Sequence, residues 1–376
     1  MPARSRKSKA KSAARLRSGA VPASELEEPF PSIKLPIKPP YPPAEAKSVT
    51  EIPTGEGWLY EPKWDGFRCL AFREGSQVLL QSKAGQPLGR YFPELVAALA
   101  ALPARDFVLD GEIVIFTGGQ LSFDDLLMRI HPAESRIRKL AAETPVTFMC
   151  FDLLVDARKR LLTEMPLRER RTRLEEFFGK LAPKSMVRLS LATPKRSQAE
   201  RWMHELAAMG LDGVVAKRME ETYRSGERTG MVKIKRMRTA DCVVGGFRYA
   251  EKGDGIGSLL LGLYNDEGQL DHVGFTSSFN AGQRGELKKI VEPQVGAPGF
   301  TGRAPGGPSR WSTKRSTEWQ PLKPKLVCEV QYDHFSGGRF RHGTKFLRWR
   351  PEKKPQQCTF EQVRPHSKSE PLELAG

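Results

Sequence analysis

The pattern of apolar residues changes near residue 238, and this change constrains the fold more than any other feature. Between residues 48 and 238, runs rich in Val, Leu, Ile and Phe alternate with amphipathic stretches, which indicates strands and helices in a mixed α+β unit. After residue 238 the runs are short, Gly- and Pro-rich segments connect them, and one helix is predicted near residues 280–291. Short strands around a single helix are typical of a small β-barrel, of which the OB-fold is a common example.

The individual elements follow from the same periodicities. In the first part, strands are predicted over 58–73, 77–81, 107–116, 146–154, 187–191 and 213–217, and helices over 167–178 and 195–209. In the second part, strands are predicted over 241–249, 258–264, 270–276 and 326–335. Residues 292–311 are rich in Gly, Pro and Ser, which predicts an exposed loop insertion.

Basic and proline-rich sequence precedes this body. Residues 1–23 contain seven basic and no acidic residues, and residues 29–43 contain seven prolines. We therefore predict a disordered tail and extended lead-in over residues 1–47, and a second tail over 361–376. No apolar stretch follows the basic residues, which excludes a secretory signal, whereas the composition also fits organelle or nuclear targeting.

Charge and cysteine usage narrow the class of partner and metal. Lys and Arg number 61 against 44 Asp and Glu, a formal net charge of +17, which favours a polyanionic partner such as nucleic acid. The five cysteines form no C-x-x-C pair, so we expect reduced thiols in a cytoplasmic protein and neither a zinc ribbon nor a disulfide framework. A metal would then be held by carboxylates, which suit magnesium. No apolar run reaches the roughly 18 residues that span a bilayer, so no membrane partner is predicted.

Residues able to do chemistry are concentrated in short segments of the first part. The segment EPKWDGFR, residues 61–68, places a lysine between acids, and two later segments place an acid beside a glycine at a strand end. Taken singly, each segment also fits a surface turn, a core aromatic or a basic edge strand. The residues in question are Glu61, Lys63, Asp65, Arg68, Lys83, Glu112, Phe151, Asp212, Lys217, Lys233 and Lys235.

In this order the segments resemble the motifs of covalent nucleotidyltransferases, specifically the ATP-dependent DNA ligases. EPKWDGFR is similar to motif I, SKAG at 82–85 to the motif that follows it, and the later segments to motifs III, IIIa, IV and V. The segment RHGTKFLRWRPEK, residues 341–353, resembles motif VI and is especially similar to bacterial C- and D-type ligases. The resemblance implies an α+β fold, with an ATP-grasp-like nucleotidyltransferase domain of antiparallel sheets and helices over 48–238 and an OB-fold β-barrel over 239–360.

The resemblance also implies the chemistry. Lys63 would take AMP from ATP, AMP would pass to the 5′-phosphate of a nicked duplex, and the 3′-hydroxyl would displace it to seal the strand. Lys63 and Asp65 are the expected catalytic residues, and Glu112 and Asp212 the expected ligands of Mg²⁺ or Mn²⁺. The residues expected to contact the nucleotide or phosphates are Glu61, Lys63, Arg68, Lys83, Glu112, Phe151, Lys217, Lys233, Lys235, Arg348, Arg350 and Lys353.

Specific roles follow for several of these side chains. Phe151 would stack on the adenine with Glu61 at the edge of the base pocket, and Arg68 and Lys83 would contact the ribose or the nick 5′-phosphate. Arg348, Arg350 and Lys353 would orient the leaving pyrophosphate. A lysine must lose its proton to attack phosphorus. Lys233 and Lys235 are expected to lower the pKa of Lys63 by like-charge repulsion.

Three positions depart from the usual motifs. Asp212 replaces Glu and reaches one methylene less far, Lys83 replaces Arg and loses bidentate phosphate recognition, and Glu352 replaces Asp. Alternatives therefore stay open: an RNA ligase, a GTP-dependent capping-type nucleotidyltransferase, or an inactive nucleic-acid-binding module. The C- and D-type resemblance implies a monomer that acts in DNA repair on nucleoid DNA, with a separate end-joining protein that binds DNA ends as a partner.

Overall fold

The computed structural model describes residues 30–179, 181, 185–250, 255–306 and 318–364. Residues 1–29 of the predicted N-terminal tail and lead-in, 365–376 of the predicted C-terminal tail and 307–311 of the predicted insertion lie outside these ranges. The start of the predicted C-terminal tail is folded, since Val363 is buried in the apolar core of the C-terminal part. In the N-terminal part the elements are β1 (Lys47–Val49), β2 (Trp58–Pro62), β3 (Phe67–Glu74), β4 (Gln77–Ser82), α1 (Pro93–Ala100), β5 (Asp106–Val114), β6 (Phe116–Thr117), β7 (Gln120–Leu121), α2 (Phe123–Met128), α3 (Glu134–Glu143), β8 (Thr147–Val155), α4 (Leu167–Phe178), β9 (Val187–Leu189), α5 (Arg196–Glu205), β10 (Gly213–Arg218) and β11 (Met231–Lys235). In the C-terminal part they are β12 (Arg238–Tyr249), β13 (Ile256–Tyr264), β14 (Leu270–Thr276), α6 (Ala281–Val291), β15 (Gln320–Pro321), β16 (Val327–Tyr332), β17 (Phe335–Ser336), β18 (Arg339–Phe340) and β19 (Lys345–Trp349).

Two large sheets and the small β6–β7 hairpin form the N-terminal part. One has the order β4-β3-β5-β8-β9 and is antiparallel except for the β8–β9 pair. The other has the order β1-β11-β10-β2. Strands β5 and β8 are buried along nearly their whole length, which explains why apolar residues occupy both faces of each strand. The boundary predicted at residue 238 stays a prediction, although β11 and β12 on either side of it belong to different sheets.

The proline-rich lead-in is not the extended, unpacked segment that its composition predicts. Ile33, Leu35 and Ile37 are buried against the sheet in one apolar cluster with Leu70 and Phe72. Alternate residues of an extended chain point to the same side, so these three side chains enter the core together. The prolines lack N–H donors and do not prevent this packing. Residues 33–44 therefore belong to the folded body, and we call residues 33–46 the strap.

The predicted strand over 58–73 is two strands. The chain leaves β2 after Pro62 and enters β3 at Phe67, so the four residues from Lys63 to Gly66 form the connection. A side chain on Gly66 would collide with the backbone carbonyl of Ile113 in β5, so glycine allows the connection to lie against that strand. Apolar content alone does not reveal this break.

The C-terminal part is one antiparallel sheet with the order β14-β13-β12-β16-β19, to which β15 adds beside β12. The predicted helix is confirmed as α6. The predicted strand over 326–335 ends at Tyr332, and the small hairpin β17–β18 follows. The antiparallel α+β class is confirmed, but the described strands do not form a closed barrel: β14 approaches the start of β19 only at the single bridge Thr276–Thr344. Within the described ranges, every helix is too short or too polar to cross a membrane.

Candidate active site

Lys63 lies at the point where the two N-terminal sheets meet. Its backbone N–H donates to the carbonyl of Gly213 at 3.0 Å, which ties the connection after β2 to the start of β10. Trp64 is buried and its indole donates to Ser190 Oγ at 2.9 Å. The tryptophan therefore anchors the connection in the core, between the two polar residues Lys63 and Asp65.

Three carboxylates act on the Lys63 ammonium. Lys63 Nζ lies 2.6 Å from Asp212 Oδ1, and the two side chains are 15% and 7% exposed. Burial by itself lowers the pKa of Lys63, but the charges of Asp212, Asp65 and Glu112 outweigh it and raise the pKa. The prediction that Lys233 and Lys235 lower this pKa is therefore wrong for this arrangement, because the nearby acids dominate.

Glu112 is itself perturbed. Its Oε1 accepts from the backbone N–H of Gly66 at 3.2 Å. Burial raises the pKa of Glu112 to about 7, against the opposing charge of Arg68. This carboxyl therefore changes charge in the physiological pH range, whereas an exposed glutamate does not.

The lysines of β11 lie beside this centre, as their spacing predicts. Residues 233 and 235 pair with Val215 and Gly213 of β10 and share one side of the strand. Burial, then the charges of Lys235, Lys83, Lys63 and Arg228, lower the pKa of Lys233. Lys63 and Lys233 repel each other, but the nearby acids outweigh this repulsion at Lys63 and do not outweigh it at Lys233.

Residues of the C-terminal part reach the same centre. Lys235 Nζ lies 2.5 Å from Asp333 Oδ2, and the Arg341 guanidinium pairs with the Asp65 carboxylate and lies 3.3 Å from the centroid of the Phe123 ring. Burial raises the pKa of Asp333, but its bonds with His342 and Lys235 outweigh this and hold the pKa well below its usual range. The sequence analysis did not single out Asp333 or Arg341 as site residues, although Arg341 is the first residue of the segment that resembles motif VI.

The three expected pyrophosphate contacts lie elsewhere. Arg348 pairs with Glu329 at 2.7 Å, Arg350 with Asp241 at 2.8 Å, and Lys353 with Asp241 at 2.6 Å. All of these partners belong to the C-terminal sheet. Glu329 and Asp241 thus hold the three cations on the C-terminal sheet, and among the described residues none of the three contacts Lys63.

The expected base-binding residues do come together. Arg68 and Lys217 lie 4.6 and 4.5 Å from the centroid of the Phe151 ring, and Lys217 Nζ pairs with Glu61 Oε2 at 2.8 Å. Glu61 is 2% exposed, and its Oε1 is buried without a hydrogen-bond partner among the described residues. A buried acceptor without a donor is costly, so this oxygen is prepared to accept a hydrogen bond from a ligand.

Arg68 is fixed by a buried network. Its guanidinium donates to both oxygens of Asp110 at 2.6 and 2.7 Å, and the Tyr223 hydroxyl donates to Asp110 at 2.6 Å. Arg68 also donates to the strap carbonyl of Ala44 at 3.3 Å. Bidentate pairing of this kind sets the plane of the guanidinium and so limits how it can face a ligand.

Lys83 contacts the strap. Its Nζ lies 3.0 Å from Glu45 Oε2, and Arg228 Nη2 lies 3.0 Å from the same oxygen. Together with Lys233 and Lys235 these cations form what we call the basic cluster, residues 83, 228, 233 and 235. Arg228 was not singled out in the sequence, because the loop between β10 and β11 carries no recognisable pattern.

The acids around Lys63 fit a hard cation in part. Within the described ranges there is no group of three ligating side chains able to hold a metal by itself. Magnesium commonly uses one or two carboxylates together with substrate phosphates and water. Glu112 and Asp212 fit that requirement, since Asp212 accepts from Lys63 through Oδ1 and, among the described residues, its Oδ2 has no hydrogen-bond partner.

Comparison with known proteins identifies the family. Residues 43–235 match the ATP dependent DNA ligase domain, and residues 252–353 match the ATP dependent DNA ligase C terminal region. DNA ligase C1 of Mycolicibacterium smegmatis is 45% identical over 339 residues, which cover 88% of this chain and 95% of that protein. The multifunctional non-homologous end joining DNA repair protein LigD of Mycobacterium tuberculosis is 29% identical over 310 residues, 81% of this chain and 37% of that protein.

A solved Lig E DNA ligase supports the same fold. It superposes with a TM-score of 0.51 at 16% identity and covers 82% of this chain and 99% of that chain. These findings do not favour the RNA ligase, the capping-type enzyme or the inactive module. The chain therefore belongs to the ATP-dependent DNA ligase family.

Proposed function

We propose that this enzyme seals nicks in duplex DNA through a covalent lysyl-AMP on Lys63, then an adenylylated 5′-phosphate, then a phosphodiester bond. The observation that carries this proposal is the Lys63 ammonium held between Asp212, Asp65 and Glu112 beside the basic cluster. Cations beside the nucleophile offset the charge of the phosphates, and carboxylates beside it hold and accept its proton.

In the first step the Lys63 nitrogen forms a bond to the α-phosphorus of ATP, and the bond to the bridging oxygen of pyrophosphate breaks. The 2.6 Å contact makes Asp212 the nearest acceptor for the proton that Lys63 loses. Glu112 and Asp212 would hold Mg²⁺ or Mn²⁺, and the ion would neutralise charge on the phosphate oxygens. Asp65 keeps the site anionic around the lysine, and Lys233 and Lys235 face the phosphates.

The base pocket favours adenine. We assign Phe151 as the stacking surface and Glu61 Oε1, the buried acceptor without a partner, as the contact for the 6-amino group of adenine. Guanine presents a carbonyl oxygen at the same place, and two acceptors facing each other repel. This argument supports ATP over GTP.

The C-terminal part adopts two positions relative to the Lys63 site during the reaction. The Arg341–Asp65 and Lys235–Asp333 pairs hold it against the site, and we assign this arrangement to the steps that follow loss of pyrophosphate. Orientation of pyrophosphate by Arg348, Arg350 and Lys353 needs another arrangement, because Glu329 and Asp241 bind these cations here.

The biological setting follows from the substrate. We propose that the enzyme acts as a monomer in DNA repair on the bacterial nucleoid, with a separate DNA-end-binding protein as its partner. The similarity to an end-joining repair protein supports the pathway.

Incubation with α-labelled ATP and Mg²⁺, in parallel with GTP and NAD, tests the first step. The label should stay on the denatured protein with ATP alone and disappear in Lys63→Ala. The adenylylated protein should then seal a 5′-phosphorylated nick without further ATP. Absence of label on protein free of pre-bound AMP would refute the proposal.

A further inference from the structure

A closed cycle of hydrogen bonds joins the Arg68 guanidinium to the strap. Arg68 Nη2 donates to Asp110 Oδ2 at 2.7 Å, and the Tyr223 hydroxyl donates to the same oxygen at 2.6 Å. The Tyr223 hydroxyl accepts from the Ala44 N–H at 3.0 Å, and the Ala44 carbonyl accepts from Arg68 Nη2 at 3.3 Å. We call residues 44, 68, 110 and 223 the Arg68 cycle. Because it is closed, the loss of one member leaves its two neighbours each without a partner.

Tyr223 is the member of the cycle that comes from the loop between β10 and β11. Its side chain is buried, and its backbone N–H donates to the carbonyl of Thr163 at 2.8 Å. Burial, then the charge of Asp110, raise the pKa of Tyr223 well above its usual value. The hydroxyl therefore keeps its proton and donates it to Asp110, while its oxygen accepts from Ala44. A hydroxyl that donates and accepts in this way is fixed in orientation.

The cycle leaves one guanidinium nitrogen of Arg68 for a ligand. Nε donates to Asp110 Oδ1 at 2.6 Å, and the two hydrogens of Nη2 are taken by Asp110 Oδ2 and the Ala44 carbonyl. Among the described residues, Nη1 has no hydrogen-bond partner. The Arg68 side chain is 20% exposed and its guanidinium carbon lies 4.6 Å from the centroid of the Phe151 ring, so Nη1 is accessible beside the surface assigned to adenine.

A single free nitrogen favours one kind of acceptor. Arginine commonly binds phosphate through two nitrogens at once, and here both of the paired edges include a nitrogen that is already used. A hydroxyl group needs only one donor. The ribose of a nucleotide carries such hydroxyls next to the base, and the base stacks on Phe151 in the proposed function. The ribose therefore suits Nη1 better than the 5′-phosphate of a nick does.

We propose that Tyr223 is a positioning residue for the nucleotide, which acts through Asp110 and Ala44 to hold Arg68 so that Nη1 donates to a ribose hydroxyl. This inference rests on the proposed function, because it concerns the nucleotide of the lysyl-AMP step. Without the Tyr223 hydroxyl, Asp110 Oδ2 keeps only one donor and the Ala44 N–H loses its acceptor. The guanidinium is then free to rotate on Asp110, and its contact with the ribose is lost for part of the time.

The test compares formation of lysyl-AMP by the full chain from α-labelled ATP, 2′-deoxy-ATP and 3′-deoxy-ATP. Tyr223→Phe removes the hydroxyl and keeps the aromatic ring. Tyr60→Phe is the matched control, since its hydroxyl is also that of a buried tyrosine and donates to the Pro53 carbonyl at 2.9 Å, outside the Arg68 cycle. A loss of stability lowers the amount of active enzyme equally for the three nucleotides, so the ratio of their kcat/KM values reports positioning alone.

The wild type should lose about tenfold in kcat/KM with one of the two deoxy analogues, as expected for a lost hydrogen bond to a charged group. Tyr223→Phe should lose about three- to tenfold with ATP, mainly through KM, and little with that analogue. The ratio of the two kcat/KM values should therefore fall toward one. Tyr60→Phe should keep the wild-type ratio.

Three outcomes would each overturn the inference: a wild type that uses both deoxy analogues as well as ATP, a wild-type ratio in Tyr223→Phe, or an equal fall of the ratio in Tyr60→Phe. A Tyr223→Phe enzyme that keeps the ratio but transfers AMP more slowly to a 5′-phosphorylated nick would place the nick phosphate on Nη1 instead. Asp110→Asn is the second variant, because it opens the cycle at another member and should lower the ratio in the same way. Failure of the proposed function is distinct, since the wild type would then form no lysyl-AMP from any of the three nucleotides.

Discussion

Arg341→Ala tests whether the C-terminal part is held against the site by the contacts described above. Arg341 pairs with Asp65, and its guanidinium lies over the Phe123 ring; the Arg341 and Asp65 side chains are 19% and 17% exposed. A hydrogen bond to a charged group contributes about 1.5–3 kcal/mol. A cation over an aromatic ring contributes about 0.5–2 kcal/mol.

These two contributions are not additive, and solvent screens the pair in part. The expected loss is therefore about 2 kcal/mol in the equilibrium between docked and undocked C-terminal parts. This corresponds to a change of about 30-fold in that equilibrium constant. The Lys235–Asp333 pair stays in the variant, so docking should weaken without being abolished.

Energy transfer between dyes on the two parts measures this equilibrium. Cysteines introduced at the exposed positions Glu176 in α4 and Glu286 in α6 can be labelled selectively, because all five native cysteines are buried. Arg364→Ala is the control, since it removes an exposed arginine whose partner, Asp266, lies outside the site.

Arg341→Ala should shift the population toward low transfer and slow single-turnover sealing by pre-adenylylated enzyme, whereas formation of lysyl-AMP should change less. The reasoning is refuted if the transfer distribution and the sealing rate both match those of Arg364→Ala.

Three further predictions concern the core of the site. Glu61→Gln should lower the selectivity for ATP over GTP in the labelling assay, because its amide can donate to the guanine carbonyl; unchanged selectivity would remove Glu61 from base recognition. Gly66→Ala should destabilise the protein by about 1–3 kcal/mol in urea unfolding through the collision with β5, whereas Gly285→Ala in the open face of α6 should be neutral or stabilising. Burial raises the pKa of Glu112 to about 7, so the stability it contributes is present below the unfolded pKa near 4.5 and is lost as pH rises through 7. Glu112→Gln lacks this titration and should gain about 2.5 kcal/mol relative to wild type between pH 5 and pH 8; parallel curves would contradict the shift.

Local sequence predicts the bounds of an element well where that element buries one apolar face. Helix α4 has the predicted bounds, because its periodic apolar residues meet the sheet directly. Lys63, Asp212, Glu112 and Lys233 converge as the motif order predicts. The strap was misjudged for a related reason: prolines signal an extended chain, but whether that chain packs depends on a partner surface, here β3 and β5, that is distant in sequence.

The sequence by itself determined the family, the antiparallel α+β class and the set of side chains available for chemistry, because motif order and periodicity are properties of the linear chain. Only the tertiary structure decided how those charges are paired. It placed Asp212 on Lys63, Arg341 on Asp65 and Glu45 on Lys83, pairs separated by 149, 276 and 38 residues. A pKa depends on distance and burial in three dimensions, so the sign of the shift at Lys63 could not be read from the lysines that neighbour it in the motif pattern.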